Sequence, residues 1–150
     1  MRISSSAPAA APDGTTPVPD DIRVLIRSNL DIVTARQEGR ALAARTGFGA
    51  TDVTLIATVI SELARNIVSY ARQGEIVMRV VAGANAQGVT IISLDSGPGI
   101  RSVEDAMRDG YSTSGGLGLG LPGVRRLMDE FTIESALGRG TTVRVTKWLT

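Results

Sequence analysis

The chain has 150 residues, of which 43% are hydrophobic and 21% charged, and its formal net charge at pH 7 is +1. This length and composition fit one soluble domain with a buried core, and the near-neutral charge gives no field that would attract nucleic acid or anionic lipid. The sequence contains no cysteine and no histidine, which excludes disulfides, histidine–metal clusters, a Ser/His/Asp triad and a phosphorylated histidine within this chain. Because no apolar run approaches the roughly 18 residues of a membrane span, we expect a cytoplasmic protein without membrane insertion.

The N-terminal segment differs in composition from the rest of the chain. Residues 1–19 hold four of the six prolines, among Ala, Ser and Thr, and lack the continuous apolar core of a secretory signal. We predict a disordered tail over 1–19 and one folded domain over 20–150. β-Branched residues then predict a first strand at 22–26.

Two helices are predicted after this strand. Asp31 can cap a helix that runs through Arg45 and ends at the glycine that follows two residues later. Thr51 can cap a second helix that continues to about residue 72, because apolar residues recur there at helical spacing. This second helix has the clearest amphipathic pattern in the sequence.

The remaining strands form two pairs along the chain. Residues 74–81 and 89–94 are rich in Val and Ile and are separated by the glycine-bounded segment 83–88, which predicts a hairpin. Residues 131–136 and 141–148 are the second pair and flank a Gly-Arg-Gly turn.

Two further helices and the fold class complete the prediction. Ser102 can cap a short helix to about Arg108, and Pro122 can open another that reaches Met128. Helices therefore collect between the first strand and the hairpin, with more strands at the end. We expect an α/β two-layer sandwich, in which a mixed, mostly antiparallel sheet is covered on one face by helices.

Glu62 and Asn66 are four residues apart on the predicted second helix and therefore share one face. The neutral side-chain oxygen of Asn66 suits a single protein ligand to Mg2+, which takes its other oxygens from water and phosphates. The carboxylate of Glu62 could take the proton of a serine or threonine hydroxyl during phosphoryl transfer. The same pair also fits a polar, solvated helix face, and Arg65 beside it is interpreted as a solvated charge.

Asp95 follows an apolar strand and begins a turn that contains Gly97 and Gly99. At a strand end its carboxylate could accept a hydrogen bond from the exocyclic amine of adenine, while the glycines allow close approach of the backbone. The sequence Asp-Ser-Gly-Pro-Gly is equally typical of a tight turn, and both glycines fit either interpretation. Thr141, in the later Gly-Arg-Gly-Thr segment, could extend the base site or simply belong to a hairpin corner.

Glycines crowd the segment between residues 110 and 123. It is not a Walker A loop, because no Gly-Lys-Ser/Thr closes it and no lysine lies inside it. A flexible linker is one interpretation, but interleaved leucines favour an ordered phosphate lid. The lid would contain Gly115, Gly116, Leu117, Gly118, Leu119 and Gly120, with the hydroxyls of Ser112, Thr113 and Ser114 at its start either bonding phosphate or capping the turn.

Taken together and in order, the segments at 62–66, 95–99, 115–121 and 138–141 resemble the four nucleotide boxes of the GHKL (Bergerat-fold) ATPase and kinase superfamily. Within it, the chain is most similar to the serine-protein kinases that control sigma factors, in particular the RsbT-type switch kinases of the bacterial stressosome. The similarity covers about residues 22–149. One departure is Tyr111, where the family often has Phe before the lid.

This resemblance implies a serine/threonine-protein kinase that uses ATP and Mg2+, with Asn66 as the metal ligand, Glu62 as the catalytic base and Asp95 on adenine. It implies STAS-domain proteins as phosphorylation substrates and a PP2C-type phosphatase that the released kinase activates. The other residues that it places around the nucleotide are Gly97, Gly99, Gly115, Gly116, Leu117, Gly118, Leu119, Gly120 and Thr141.

Other members of the superfamily share these boxes but fit the sequence less well. A sensor histidine kinase normally carries a histidine-bearing dimerisation segment, and gyrase-like, MutL-like or chaperone ATPases need a further domain that 150 residues cannot hold. The serious alternative is a non-catalytic role, as an anti-sigma factor or a nucleotide-dependent binding adaptor. The presence of Glu62 beside Asn66 favours active transfer, because an adaptor needs the metal ligand but not the base.

Overall fold

The structure, a computed structural model, describes residues 20–100, 103–108 and 119–150. Its elements in chain order are β1 (Ile22–Ile26), α1 (Asn29–Thr46), α2 (Ala50–Asn66), a π-helical turn (Ile67–Ala71), β2 (Gly74–Ala82), β3 (Gln87–Asp95), α3 (Val103–Ala106), α4 (Gly120–Leu127), β4 (Glu130–Ala136) and β5 (Gly140–Trp148). Some predictions concern residues outside the described part of the chain and therefore stay predictions. These residues are the tail 1–19, Ser102, Ser112, Thr113, Ser114, Gly115, Gly116, Leu117 and Gly118.

The sheet has five strands in the order β1-β2-β3-β5-β4. Every pairing between these described strands is antiparallel, so the sheet is more regular than the mixed, mostly antiparallel one predicted. The reason is that β2 with β3, and β4 with β5, are hairpins, and the second hairpin adds its returning strand to the edge of β3. The α/β fold with an antiparallel sheet and helices confirms the predicted class.

The core lies between the sheet and the two long helices. Alternate strand residues face α1 and α2, as a period of two requires, and the fully buried ones include Ile26, Ile76, Met78, Ile91 and Ile133. Each such side chain contributes about 1.5–3 kcal/mol when it is removed from water. This packing fixes the C-terminal end of α2 against the sheet.

The helix boundaries correct two predicted caps. Helix α1 begins at Asn29 after Ser28, and Asp31 lies inside its first turn, where its carboxylate accepts the Arg27 backbone N–H at 2.8 Å. Asp31 therefore binds the backbone of Arg27, two residues before the first residue of the helix, and does not itself start the helix. Helix α2 begins after Gly49 and not at Thr51, whereas the predicted end of α1 at a glycine is confirmed by the left-handed φ of 115° there.

Helix α2 does not continue unbroken to residue 72. Its α-helical part ends at Asn66, a π-helical turn follows, and Arg72 has a φ of 71°, which is rare for a residue with a side chain. The helix must end there because β2 begins at Gly74. That glycine is tightly packed, since a Cβ atom on it would meet the Leu94 carbonyl oxygen and would lie 2.9 Å from Ile67. The periodicity of apolar residues carried no signal of this wider turn.

Helix α4 begins two residues before the predicted start. Gly120 is its first residue and Pro122 lies in its first turn, where backbone N–H groups have no partner within the helix and a proline costs little. Among the described residues, no helix is long and apolar enough to cross a membrane.

Candidate functional site

A cavity of about 240 Å3 opens between the end of α2 and the sheet. Its volume is slightly below the roughly 300–1,000 Å3 of most small-molecule pockets. The residues that line it come from separate segments and include Asn66, Ile67, Tyr70, Asp95, Gly99, Ile100, Gly120 and Thr141. The cavity is mostly apolar, with a few polar groups that converge on it.

Five of the residues predicted from sequence lie in the wall of this one cavity, namely Asn66, Asp95, Gly99, Gly120 and Thr141. Asn66 is the last α-helical residue of α2. Asp95 is the last residue of β3, and the strand register places it directly opposite Thr141. Residues separated by up to 75 positions in the chain are thus gathered by the sheet and by α2 into one site.

Asp95 is the polar centre of the site. Its Oδ1 atom accepts the backbone N–H of Gly97 at 2.9 Å and that of Thr141 at 3.3 Å. Burial raises the pKa of the Asp95 carboxyl above its ordinary value of 3.8, and these two hydrogen bonds offset part of that rise. Both hydrogen bonds from described residues go to Oδ1, so Oδ2 can accept a donor from a ligand.

Glycines allow the backbone to close around Asp95. A Cβ atom on Gly97 would lie 2.6 Å from the Cβ of Ala71. Gly99 has a φ of 81°, and a Cβ there would meet the carbonyl oxygen of Ala136. Gly140 has a φ of 96°, and its Cβ would meet the carbonyl oxygen of Asp95. The turn interpretation and the ligand interpretation of these glycines are therefore compatible, because the same tight turns build the cavity wall.

Glu62 occupies a different environment from the solvated face that was one alternative. It is only 6% exposed, and its Oε1 atom accepts a hydrogen bond from the Arg65 guanidinium at 2.7 Å. The interpretation of Arg65 as a solvated charge is correct only in part: its side chain is 40% exposed, and its guanidinium forms an ion pair with a buried carboxylate one helical turn away. Glu62 lies one turn before Asn66 but is not among the residues that line the cavity.

Two predicted nucleotide contacts lie beside the cavity and not in its wall. Leu119 immediately precedes α4 and is 44% exposed. Gly97 acts through its N–H on Asp95 and through its close contact with Ala71. The predicted residues 115–118 lie outside the described part of the chain.

Among the residues of the site that sequence reasoning missed are Tyr70 and Ser135. Tyr70 lines the cavity from the π-helical turn, and its spacing of four residues from Asn66 was the signal that could have found it. Ser135 is 2% exposed on β4 and hydrogen-bonds to Thr141 and Ile100. No local pattern marks it, because its partners follow from strand register and not from spacing.

The donor set of the cavity fits a nucleotide with its metal. Among the described residues, no group of three or more His, Cys, Asp or Glu side chains could hold a metal ion. A cation here would therefore take most of its oxygens from water and from phosphates, which is the usual way that Mg2+ is bound, with Asn66 as the protein ligand. Asp95, another polar residue of the wall, offers an acceptor to a base.

Comparison with known proteins agrees with this geometry. The family model of the histidine kinase-like ATPase domain matches residues 27–147. Over 130 residues the chain is 52% identical to the serine/threonine-protein kinase RsbT of Bacillus subtilis (strain 168), which covers 87% of this chain and 98% of that protein. It is 30% identical to the anti-sigma F factor of Thermoanaerobacter sp. (strain X514), over 77% of this chain and 83% of that protein.

The fold has a solved counterpart as well. The mycobacterial sensor histidine kinase MprB superposes with a TM-score of 0.52 at 14% identity, covering 87% of this chain and 97% of that chain, which shows the fold alone. The family match covers most of the chain, and the similarity to RsbT spans nearly that whole protein. The chain therefore belongs to the histidine kinase-like ATPase domain (GHKL) family and, within it, to the RsbT-type serine/threonine-protein kinases.

Proposed function

We propose that this kinase transfers the γ-phosphoryl group of Mg2+-ATP to a serine or threonine hydroxyl of a STAS-domain protein and, once released from that protein, activates a PP2C-type phosphatase. The observation that carries the proposal is the convergence of Asn66, Asp95 and Thr141 on one cavity. These are an oxygen ligand for a hard cation, an acceptor for an exocyclic amine and a hydroxyl. They are the groups that an adenine nucleotide with a bound cation requires.

The base end of the proposed site is Asp95. A buried carboxylate with an available Oδ2 distinguishes a base that presents an amine from one that presents a carbonyl oxygen, because a carbonyl oxygen would face it with like partial charge. The amides of Gly97 and Thr141 hold the carboxylate in one orientation, so little conformational freedom is lost when a base binds.

The phosphate end of the proposed site is formed by Asn66 and the start of α4. Gly120 and Leu121 line the cavity at the N-terminus of that helix, where unpaired backbone N–H groups favour an anion. When bound, Mg2+ would neutralise charge on the phosphate oxygens. The side-chain oxygen of Asn66 would orient the cation, and the predicted lid residues would add further amides.

Glu62 is the proposed base. Transfer forms a bond between the substrate hydroxyl oxygen and the γ-phosphorus and breaks the bond from that phosphorus to the β–γ bridging oxygen, so that ADP leaves. The hydroxyl proton goes to the Glu62 carboxylate. Because Arg65 occupies Oε1 at 2.7 Å, the carboxylate keeps a fixed orientation while Oε2 can take the proton.

The test is phosphorylation by the purified chain of a STAS-domain protein from the same source, with radiolabelled Mg2+-ATP. We expect acid-stable label on serine or threonine, and we expect Glu62→Gln to retain ATP binding but lose the label. Glu75→Gln is the matched control, because Glu75 also accepts a hydrogen bond from an arginine, Arg23, at 2.8 Å but lies on β2. Bound ATP without a labelled product from any STAS-domain protein of that source would contradict the kinase–substrate pairing.

A non-catalytic binding role is the second candidate, and the position of Glu62 favours it. Its carboxylate is buried, paired with Arg65 and absent from the wall of the cavity. If the chain works as a nucleotide-dependent adaptor or anti-sigma factor, Glu62→Gln should leave partner capture unchanged while Asn66→Ala and Asp95→Asn weaken it. Pull-down with STAS-domain and PP2C-type proteins, with and without Mg2+-ATP, measures capture, and the absence of labelled product from the captured proteins distinguishes an adaptor from a kinase.

A further inference from the structure

The hydroxyl group of Ser135 joins two walls of the nucleotide cavity. Ser135 is 2% exposed on β4, the last strand of the sheet, and none of the predicted nucleotide motifs includes it. Its Oγ atom accepts the backbone N–H of Ile100 at 2.7 Å and lies within hydrogen-bonding distance of two further oxygens, the Gly140 carbonyl at 3.1 Å and the Thr141 hydroxyl at 2.8 Å. One buried atom therefore has three partners.

Two of these partners, Ile100 and Thr141, line the cavity of the proposed nucleotide site. Ile100 and the preceding Gly99 line the cavity on one side, and Thr141 lines it on the other while donating its own N–H to Asp95. The loop is also tied to the β4–β5 corner by the Gly138 N–H, which donates to the Pro98 carbonyl oxygen at 2.8 Å. Ser135 thus connects the loop, the corner and the base acceptor.

The number of protons at this cluster limits what Thr141 can offer a ligand. A serine hydroxyl has one proton and two acceptor lone pairs. The Ile100 N–H occupies one lone pair of Ser135 Oγ. If the Ser135 proton goes to Thr141, the Thr141 proton is available to a ligand acceptor; if it goes to Gly140, Thr141 must donate to Ser135 and can only accept from a ligand.

The hydrogen-bonding edges of adenine and guanine distinguish these two arrangements of protons. Adenine presents an amine donor beside a ring-nitrogen acceptor, whereas guanine presents a carbonyl acceptor beside a ring N–H donor. Asp95 accepts, which suits the amine. Of the two contacts of Ser135, the one with Thr141 is shorter, 2.8 Å against 3.1 Å, so we assign the Ser135 proton to Thr141. The Thr141 proton then suits the neighbouring acceptor of adenine and not the ring N–H of guanine.

We propose that Ser135 is a positioning residue that holds the Thr141 hydroxyl and the loop at Gly99 and Ile100 in the arrangement that selects adenine over guanine. This inference rests on the proposed nucleotide site at Asp95. Ser135 acts through Thr141 and does not contact the base itself. Its removal therefore lowers discrimination between bases and not merely the stability of the fold.

The test compares the dissociation constants of Mg2+-ATP and Mg2+-GTP, by calorimetry, for the unsubstituted chain, Ser135→Ala, Thr141→Val and the double variant. We expect Ser135→Ala to weaken ATP about threefold to tenfold, the range for loss of one buried hydrogen bond, with a smaller effect on GTP. Because Ser135 acts through Thr141, the double variant should lose no more selectivity than Thr141→Val alone.

Thr90→Val is the matched control. Thr90 is 1% exposed and its hydroxyl pairs with that of Thr146 at 2.7 Å, in the same sheet but on the opposite face from Ser135. The control should lose similar stability in a thermal melt and retain the ATP/GTP ratio. An unchanged ratio in Ser135→Ala, an equal fall in Thr90→Val, or additive losses in the double variant would overturn the role of Ser135 while leaving the site intact. Failure of the unsubstituted chain to bind Mg2+-ATP would overturn both.

Discussion

Replacement of Asp95 by asparagine separates nucleotide binding from folding. Asparagine keeps a carbonyl oxygen that can accept the backbone N–H groups of Gly97 and Thr141, as Oδ1 does at 2.9 and 3.3 Å. Its amide nitrogen then takes the place of Oδ2 and presents a donor to the amine of adenine. Loss of a hydrogen bond to a charged acceptor costs about 1.5–3 kcal/mol. Asp95→Asn should therefore raise the Kd of Mg2+-ATP roughly 10-fold to 150-fold.

The same substitution should not destabilise the ligand-free protein at pH 7. Burial raises the pKa of Asp95 in the folded protein above 3.8, so the folded state binds this proton more tightly than the unfolded chain does. The stability that this group contributes is complete below pH 3.8 and is lost as the pH rises through the raised pKa. At pH 7 the aspartate carries the full cost of burying its charge, which asparagine avoids.

Calorimetry with Mg2+-ATP and thermal melts between pH 7 and pH 4 measure the two effects. At pH 7 the melting temperature of Asp95→Asn should equal or exceed that of the unsubstituted chain. The difference between the two melting temperatures should decrease as the pH falls. Asp129→Asn is the control, because Asp129 accepts the Trp148 N–H at 2.7 Å at the opposite end of the β4–β5 hairpin. Equal ATP affinity in Asp95→Asn and the unsubstituted chain would refute the adenine assignment, and an advantage that widens toward low pH would refute the burial argument.

Three further substitutions test the rest of the site. Glu62→Gln should lower the rate of phosphoryl transfer about 10²-fold to 10⁴-fold with unchanged Kd for ATP, and a parallel loss of binding would show a structural role instead. Asn66→Ala should weaken Mg2+-ATP but not ADP measured in EDTA, so equal loss of both would remove the metal assignment. Gly140→Ala places a Cβ at a positive φ and against the Asp95 carbonyl oxygen. It should therefore lower the free energy of unfolding by more than the ~1–3 kcal/mol expected for backbone strain alone. Gly138→Ala, where φ is 79° but a Cβ has open space, should show the strain alone in the same denaturant titration.

Local patterns predicted most of the fold. Strand β1 matches its predicted bounds, both hairpins form, and α1 ends at a left-handed glycine as expected, because each depends on residues that are close in sequence. The turn after Asn66 could not be predicted in this way. Helical periodicity describes which face is buried, but the π-helical turn and the strained Arg72 arise where the packed helix meets β2. A tertiary constraint of this kind leaves no mark on spacing.

The candidate site was predicted through its motifs and not through its geometry. Asn66, Asp95 and Thr141 do line one cavity, although each alone also fitted a bland structural role. The burial of Glu62 and its hydrogen bond from Arg65 were not predicted, because they depend on packing and on side-chain rotamers that a sequence does not show. Ser135 was missed for a related reason, since a single serine in a strand acquires its role only from the residues that other strands bring to it.

Strand register is the physical basis of the site. Asp95 lies opposite Thr141 because β3 and β5 pair at that position, and a shift of one residue would turn every side chain of β5 to the other face. Gly140 fixes this register, because only a residue without a Cβ fits against the Asp95 carbonyl oxygen. The corner that sequence alone could assign to an ordinary hairpin turn thus determines whether Asp95 faces a hydroxyl across the cavity. If Asp95 binds the base as proposed, nucleotide selectivity depends on backbone fit at this end of the sheet as much as on the carboxylate.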